Sequence, residues 1–242
     1  MSILKSLFRR ETLAPMAALT FASAVSVAIV LARVLFTGNI RYSFLVWNLF
    51  LAWLPLVFAI LARNIYRATP AGDRLGWPFL GLSAAWLLFF PNAPYICTDL
   101  VHLTTRFFGH FWVDLTVILS CAFIGLILGF VSLYLMHSVV TQRYGRLSGW
   151  LFVAGVAGLS SFGIYLGRFL RFNSWDVVAQ PGKLYQGISA FATGQSHPHQ
   201  LAFLVLFATF LFLAYLMLYA LTHLPTAAQL SLASHEPKPV EA

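Results

Sequence analysis

Six apolar runs divide this chain, near residues 14–36, 43–62, 76–95, 112–137, 149–167 and 200–222, each bounded by a short stretch that carries some of its few charges. A run of about 20 apolar residues matches the length of helix that crosses a hydrocarbon core. In lipid such runs fold as helices, because a helix satisfies every backbone polar group without water. The pattern predicts an all-α protein: a polytopic transmembrane helix bundle of about six spans. The first run is preceded by Lys5, Arg9 and Arg10 and contains the small triplet Ala22-Ser23-Ala24, but it continues to Val34. An uncleaved span is therefore expected rather than a secretory signal. Residues 1–222 read as one transmembrane domain. Residues 223–242, with Pro225, Pro237 and Pro239 among small and polar neighbours, read as a disordered tail.

Composition excludes the soluble alternative. Hydrophobic residues fill 60% of the 242 positions and charged residues only 9%, with a mean hydropathy of +0.82. With the N-terminus inside, nine basic residues fall on the inner side: Lys5, Arg9, Arg10, Arg63, Arg67, Arg74, Arg143, Arg146 and Lys238. Six fall on the outer side: Arg33, Arg41, Arg106, Arg168, Arg171 and Lys183. Cytoplasmic loops are the basic ones, so both termini are expected in the cytoplasm. The net charge of +8 then serves topology and contact with the anionic lipid bilayer. No basic tract asks for nucleic acid, and none is expected as a partner. Cys97 and Cys121 fall on spans that need not touch, so no disulfide is expected between them.

Against this apolar background the segment Pro91-Asn92-Ala93-Pro94-Tyr95-Ile96-Cys97-Thr98-Asp99-Leu100-Val101-His102-Leu103 stands out. Two prolines, an amide, a carboxylate and an imidazole at the mouth of a membrane helix are costly unless they are used. On an α-helix Asp99, His102 and Arg106 share one face, while Leu100, Leu103, Phe107 and Phe108 take the other. Residues 98–108 therefore predict a short interfacial amphipathic helix between spans three and four, ended by Gly109. Its polar stripe either faces water or turns inward over the bundle. Pro-Asn-Ala-Pro favours the inward reading, because freed carbonyls at membrane depth are tolerated only inside protein or along a cavity.

A second polar cluster follows the fifth run, from Gly163 to Asp176. Arg168 and Arg171, three apart, would share a helical face and offer two guanidinium forks to a phosphate or carboxylate. Snorkelling to headgroups is the alternative for either Arg, and Asp176 could instead latch onto Arg171. Asn48 is the one amide in an apolar second helix, suited to an interhelical hydrogen bond or to the same site. Gly125-Leu-Ile-Leu-Gly129 and Gly163-Ile-Tyr-Leu-Gly167 have the spacing that lets helices cross closely. His102, His110, His197 and His199 with Asp99, Asp114 and Asp176 could ligate a metal. Their spacing matches no HExxH or paired-cysteine pattern, so neither metal nor cofactor is expected.

Three strings occur in order: Trp47-Asn48-Leu49-Phe50-Leu51-Ala52-Trp53; Phe89-Phe90-Pro91-Asn92-Ala93-Pro94-Tyr95 with Thr98-Asp99-Leu100 and His102; and Tyr165-Leu166-Gly167-Arg168-Phe169 with Asn173-Ser174-Trp175-Asp176. Together they resemble a family of bacterial multi-pass membrane proteins, domain of unknown function 1361, over roughly residues 40–220. The resemblance implies a multi-pass protein of the cytoplasmic (inner) membrane and supplies no activity. Phe172 stands where the family pattern suggests Trp, and Cys97 where it suggests a plain aliphatic.

The leading functional expectation is an outward polar pocket built by Asn48, Asn92, Asp99, His102, Arg106, Arg168, Arg171, Asn173 and Asp176. It would bind a small anionic or lipid-phosphate ligand for sensing or transport. One alternative is a membrane-embedded enzyme in which Asp99 and His102 act as a catalytic acid-base pair on an envelope substrate. The other is a structural or assembly subunit that uses Arg-Asp latches and glycine crossings.

Overall fold

The computed structural model describes residues 10–70, 73–103, 110–192 and 198–224. Among the described residues the regular elements are helices: α1 (Arg10–Thr37), α2 (Phe44–Ala68), α3 (Trp77–Phe89), α4 (Asn92–Tyr95), a 3-10 segment (Ile96–His102), α5 (Phe111–Tyr144), α6 (Arg146–Phe169), α7 (Asp176–Ala179), α8 (Pro181–Ala192) and α9 (Pro198–Thr222). Six stretches are long and apolar enough to cross a membrane: Ala14–Thr37, Phe44–Ala68, Trp77–His102, Phe111–Tyr144, Arg146–Phe169 and His199–Thr222. The protein is a polytopic all-helical membrane bundle. The disordered tail expected at residues 223–242 falls almost wholly outside the described residues.

The 34-residue α5 is the central post, packing against α1, α2, α4, the 3-10 segment and α6. Two apolar clusters line it. One surrounds Leu45, Leu49, Ala52, Leu56, Ala93, Ile96 and Ile118. The other surrounds Ala59, Ala62, Trp86, Phe130, Leu133, Val153 and Tyr215. On α2 the buried positions Leu45, Leu49, Ala52, Leu56, Ala59 and Ala62 recur every three or four residues, which is one helical face. Trp47, Phe50 and Val57 on its other faces are just as apolar and exposed. In hydrocarbon such exposure carries no penalty, so small residues and shape set the buried face instead of polarity.

The third span is broken where the prolines predict. α3 ends at Phe89, Phe90 and Pro91 form a turn, and α4 gives way after one turn to the 3-10 segment. Pro91 and Pro94 lack the N–H that an α-helical ladder needs, and the Ala93 N–H bonds back three residues to Phe90 O (3.1 Å). The interfacial helix predicted over residues 98–108 is a different object in its described part. Ile96–His102 is a tighter 3-10 turn continuing the third span, and residues 104–109 lie outside the described residues.

The break lies directly against α5. A Cβ at Gly125 would sit 2.8 Å from both the Ala93 carbonyl oxygen and Ile96 Cδ1, and one at Gly129 would sit 3.0 Å from Ala93 Cβ. The first of the two glycine-spaced motifs is thus the seat of the broken helix. At Gly163, in the second, a Cβ would meet Pro91 Cγ at 2.8 Å. Six antiparallel spans bring residues 37–44, 90–103 and 169–192 to one end of the bundle, opposite the first and last described residues. At the other end Arg143 Nη2 donates to the Asp73 carbonyl at 2.9 Å.

Gly125→Val should lower thermal stability in detergent by about 1–3 kcal/mol, since a backbone carbonyl cannot yield to the added side chain. Gly155→Ala, which meets nothing within 4 Å, should leave it unchanged. Equal unfolding midpoints for both variants would contradict this packing.

Candidate functional site

The 3-10 segment sets the geometry of the polar residues. With three residues per turn, positions three apart eclipse, so Ile96, Asp99 and His102 share a face. Ile96 and Asp99 are both buried on it. Asp99 is 1% exposed and both of its carboxylate oxygens are engaged. Oδ2 accepts from Asn48 Nδ2 on α2 at 2.9 Å. Oδ1 accepts from Arg168 Nη2 at the end of α6 at 2.6 Å.

Arg168 is held on every side. Its Nε and Nη2 donate to Thr98 Oγ1 at 3.0 and 2.5 Å. The guanidinium carbon lies 4.5 Å from the centre of the Tyr95 ring, a cation–π contact. Nη1 lies 3.3 Å from His102 Nε2. Because arginine has only donors, His102 Nε2 accepts here and the ring proton sits on Nδ1. Asp99 Oδ1 waits 3.8 Å from the same nitrogen. The His102 ring also meets Phe44 edge-on at 5.3 Å.

The chain beyond α6 folds back over the break in the third span. Two residues past the end of α6, Arg171 lies in the left-handed region (φ 59°), and the Phe172 N–H returns to the Leu166 carbonyl at 3.1 Å. A residue with a Cβ spends about 1 kcal/mol in that conformation. Asn92 Nδ2 satisfies the Phe89 carbonyl at 3.0 Å and also donates to Ser174 Oγ at 2.9 Å. Ser174 Oγ donates in turn to the Leu88 carbonyl at 3.1 Å. Asp176 accepts from the Asn173 N–H (2.7 Å) at the start of α7. It caps this turn and makes no ion pair with Arg171 among the described residues, so the proposed Arg171–Asp176 latch is not present.

These elements enclose a cavity of about 460 Å³, within the range of small-molecule sites. Asn48, Asn92, Asp99, His102, Arg168, Arg171 and Asn173, which sequence reasoning placed together, all line it. Asp176 stands behind the wall, and Arg106 lies outside the described residues. Val177 of α7 and Leu184 and Ile188 of α8 close the cavity from above, and Trp47 flanks it, 53% exposed.

Thr98 and Tyr95 complete the cradle around Arg168, and sequence reasoning gave them no role. The available signal was their spacing of one residue and four residues before Asp99. A second polar cluster at the same end was also missed. Arg33 Nε donates to Asp114 Oδ1 (2.8 Å), Nη2 donates to Oδ2 (3.3 Å), and Nη1 donates to the Asn39 carbonyl (2.8 Å). An Arg inside an apolar run demands such a partner. Arg33 also lies 4.6 Å over the Tyr42 ring, whose hydroxyl donates to the His102 carbonyl at 3.3 Å. Burial first, and the Asp114 charge second, raise the Tyr42 phenol pKa above its ordinary value. Asp114 therefore joins α1 to α5 through Arg33. Among the described residues no three His, Cys, Asp or Glu side chains gather as metal ligands, and His197 lies outside them.

A family described as "Protein of unknown function (DUF1361)" matches residues 47–215, more than half of the chain and all of the cavity wall from Trp47 to Ile188. The chain belongs to this family. No curated protein and no solved structure matches it. Family membership thus agrees with the multi-pass fold and leaves the chemistry to be argued from the cavity.

Asp99→Ala and Arg168→Ala should each destabilise the protein by about 3 kcal/mol, because each strands a buried charge. The double variant should lose less than the sum, with a coupling of about 1–3 kcal/mol. Unfolding in detergent measures the cycle, and strictly additive losses would show the two side chains to be independent.

Proposed function

We propose that this DUF1361 protein binds a small anionic group, a phosphate or carboxylate, in the cavity between α2, the broken third span and α6, and does so in sensing or transport. One observation carries the reading. Arg168 is neutralised by Asp99, whereas Arg171 lines the same cavity and belongs to no ion pair among the described residues. The cavity therefore holds one uncompensated guanidinium, beside Asn173 and Asn92. A cation beside low-dielectric walls attracts an anion more strongly than one in open water. The strained backbone at Arg171 fits a residue positioned for use.

The acid-base alternative is weaker on the same geometry. A general acid or base must reach its substrate, and Asp99 is buried with both oxygens already accepting. His102, whose side chain is 42% exposed, remains available to a ligand. The bias of basic residues supports placing the cavity on the outer face of a bacterial cytoplasmic membrane with both termini inside.

Inorganic phosphate should raise the unfolding midpoint of the purified protein in detergent, by an increment equivalent to ~2.7 kcal/mol at about 100 times its Kd. Arg171→Gln should abolish the increment, while Lys183→Gln, on the exposed surface of α8, should retain it. Phosphate protection that survives Arg171→Gln would refute the site.

Sidedness has its own test. In a chain with Cys97 and Cys121 replaced by Ala, a thiol introduced at Lys183 should react with an impermeant maleimide added outside intact cells. Reaction only after the cytoplasmic face is opened would invert the topology and the reading with it.

A further inference from the structure

We infer that the anion taken by this cavity is the head of an amphiphile, a phosphate-headed lipid that enters sideways from the bilayer. The inference rests on the anion-binding reading above and adds the chemical class of the ligand. Its basis is the uneven wall. The polar groups of the cavity gather where the third span breaks and α6 ends, whereas Trp47, Leu51, Val177, Leu184 and Ile188 form an apolar side.

The lining that meets the surroundings is amphipathic, because Arg171 and Asn173 at the polar end are exposed as well as the apolar residues. Trp47, Val177 and Ile188 line the cavity and are 53%, 43% and 39% exposed. On α2, Phe50 extends the same exposed apolar surface. Apolar surface of this composition facing water would be wetted at the edge of the cavity. Facing acyl chains it costs nothing and admits a hydrocarbon tail.

The depth of the charged end agrees. Arg171 lies two residues beyond the end of the fifth span and is followed by Trp175, 42% exposed, the residue type that settles at the headgroup level. A phosphate-headed lipid already holds its phosphate at that depth and its chains beside α2, so binding needs lateral motion and no passage of a bare ion through an apolar mouth. α8, with Leu184 and Ile188 toward the cavity and Lys183 and Tyr185 exposed, would lie over the bound chain as an amphipathic cover. Free phosphate would meet the polar end of the cavity and leave the apolar wall unused.

The experiment compares three probes on the full chain in detergent, each titrated against the unfolding midpoint: inorganic phosphate, dioctanoyl phosphatidic acid and dioctanoylglycerol. The expected result is protection by phosphatidic acid at a half-maximal concentration at least about tenfold below that of phosphate, with no protection by dioctanoylglycerol. Arg171→Gln should abolish protection by both anions, and Ile188→Asn should weaken the phosphatidic acid effect alone. Equal half-maximal concentrations for the two anions, both indifferent to Ile188→Asn, would overturn the amphiphile and leave the anion site standing. Protection by dioctanoylglycerol equal to that by phosphatidic acid, or indifference of both anions to Arg171→Gln, would overturn the anion reading and this inference together.

Discussion

A carboxylate buried in a membrane protein is tolerated only when it is compensated, and this end of the bundle is arranged around that requirement at Asp99. Its two oxygens draw in Asn48 from α2 and Arg168 from α6, while its own 3-10 segment packs on α5. Three spans are thereby tied to one side chain. Removing that charge would release the Arg168 guanidinium from its ion pair, leaving Thr98, Tyr95 and His102 as its contacts. The compensation engages Arg168 and leaves Arg171, which lines the same cavity, outside any ion pair among the described residues.

The position of Asp99 depends on two features that act together. Pro91 and Pro94 remove helix donors, so the third span unwinds into a tighter turn, and that turn brings residues 99 and 102 onto one face. Gly125 and Gly129 let α5 approach the unwound backbone closely enough to bury it. Broken backbone inside a membrane must find other partners. Asn92 and Ser174 supply them at Phe89 and Leu88, which is also how the chain after α6 comes to roof the cavity. The same residues therefore repair the helix break and shape the site.

The polar strings were legible because each breaks a rule that lipid enforces. Asn48, Asn92, Asp99, Arg168 and Arg171 were all marked by their cost in apolar surroundings, and they line one cavity. Thr98 and Tyr95 were passed over because a hydroxyl and a phenol at an interface carry no such cost. Arg33 and Asp114 were visible as charges, but 81 positions separate them and nothing local connects them. Asp176 was read as a pocket residue, with a latch to Arg171 as the alternative. It instead satisfies the N–H of Asn173 three residues earlier, a side-chain-to-backbone bond that competes with the ion pair.

By itself the sequence determined the number of spans, the break at Pro91–Pro94 and the sharing of one bundle end by the unusual residues. Hydrophobicity carries that information because lipid forces every span to be apolar over a fixed length. Only the tertiary structure decided which face of each helix is buried, since Trp47 toward the surroundings and Leu45 toward the core are equally apolar. It also decided which arginine Asp99 neutralises. Arg168 and Arg171 look alike in the chain, and their different fates follow from one residue turning left-handed just past the end of α6.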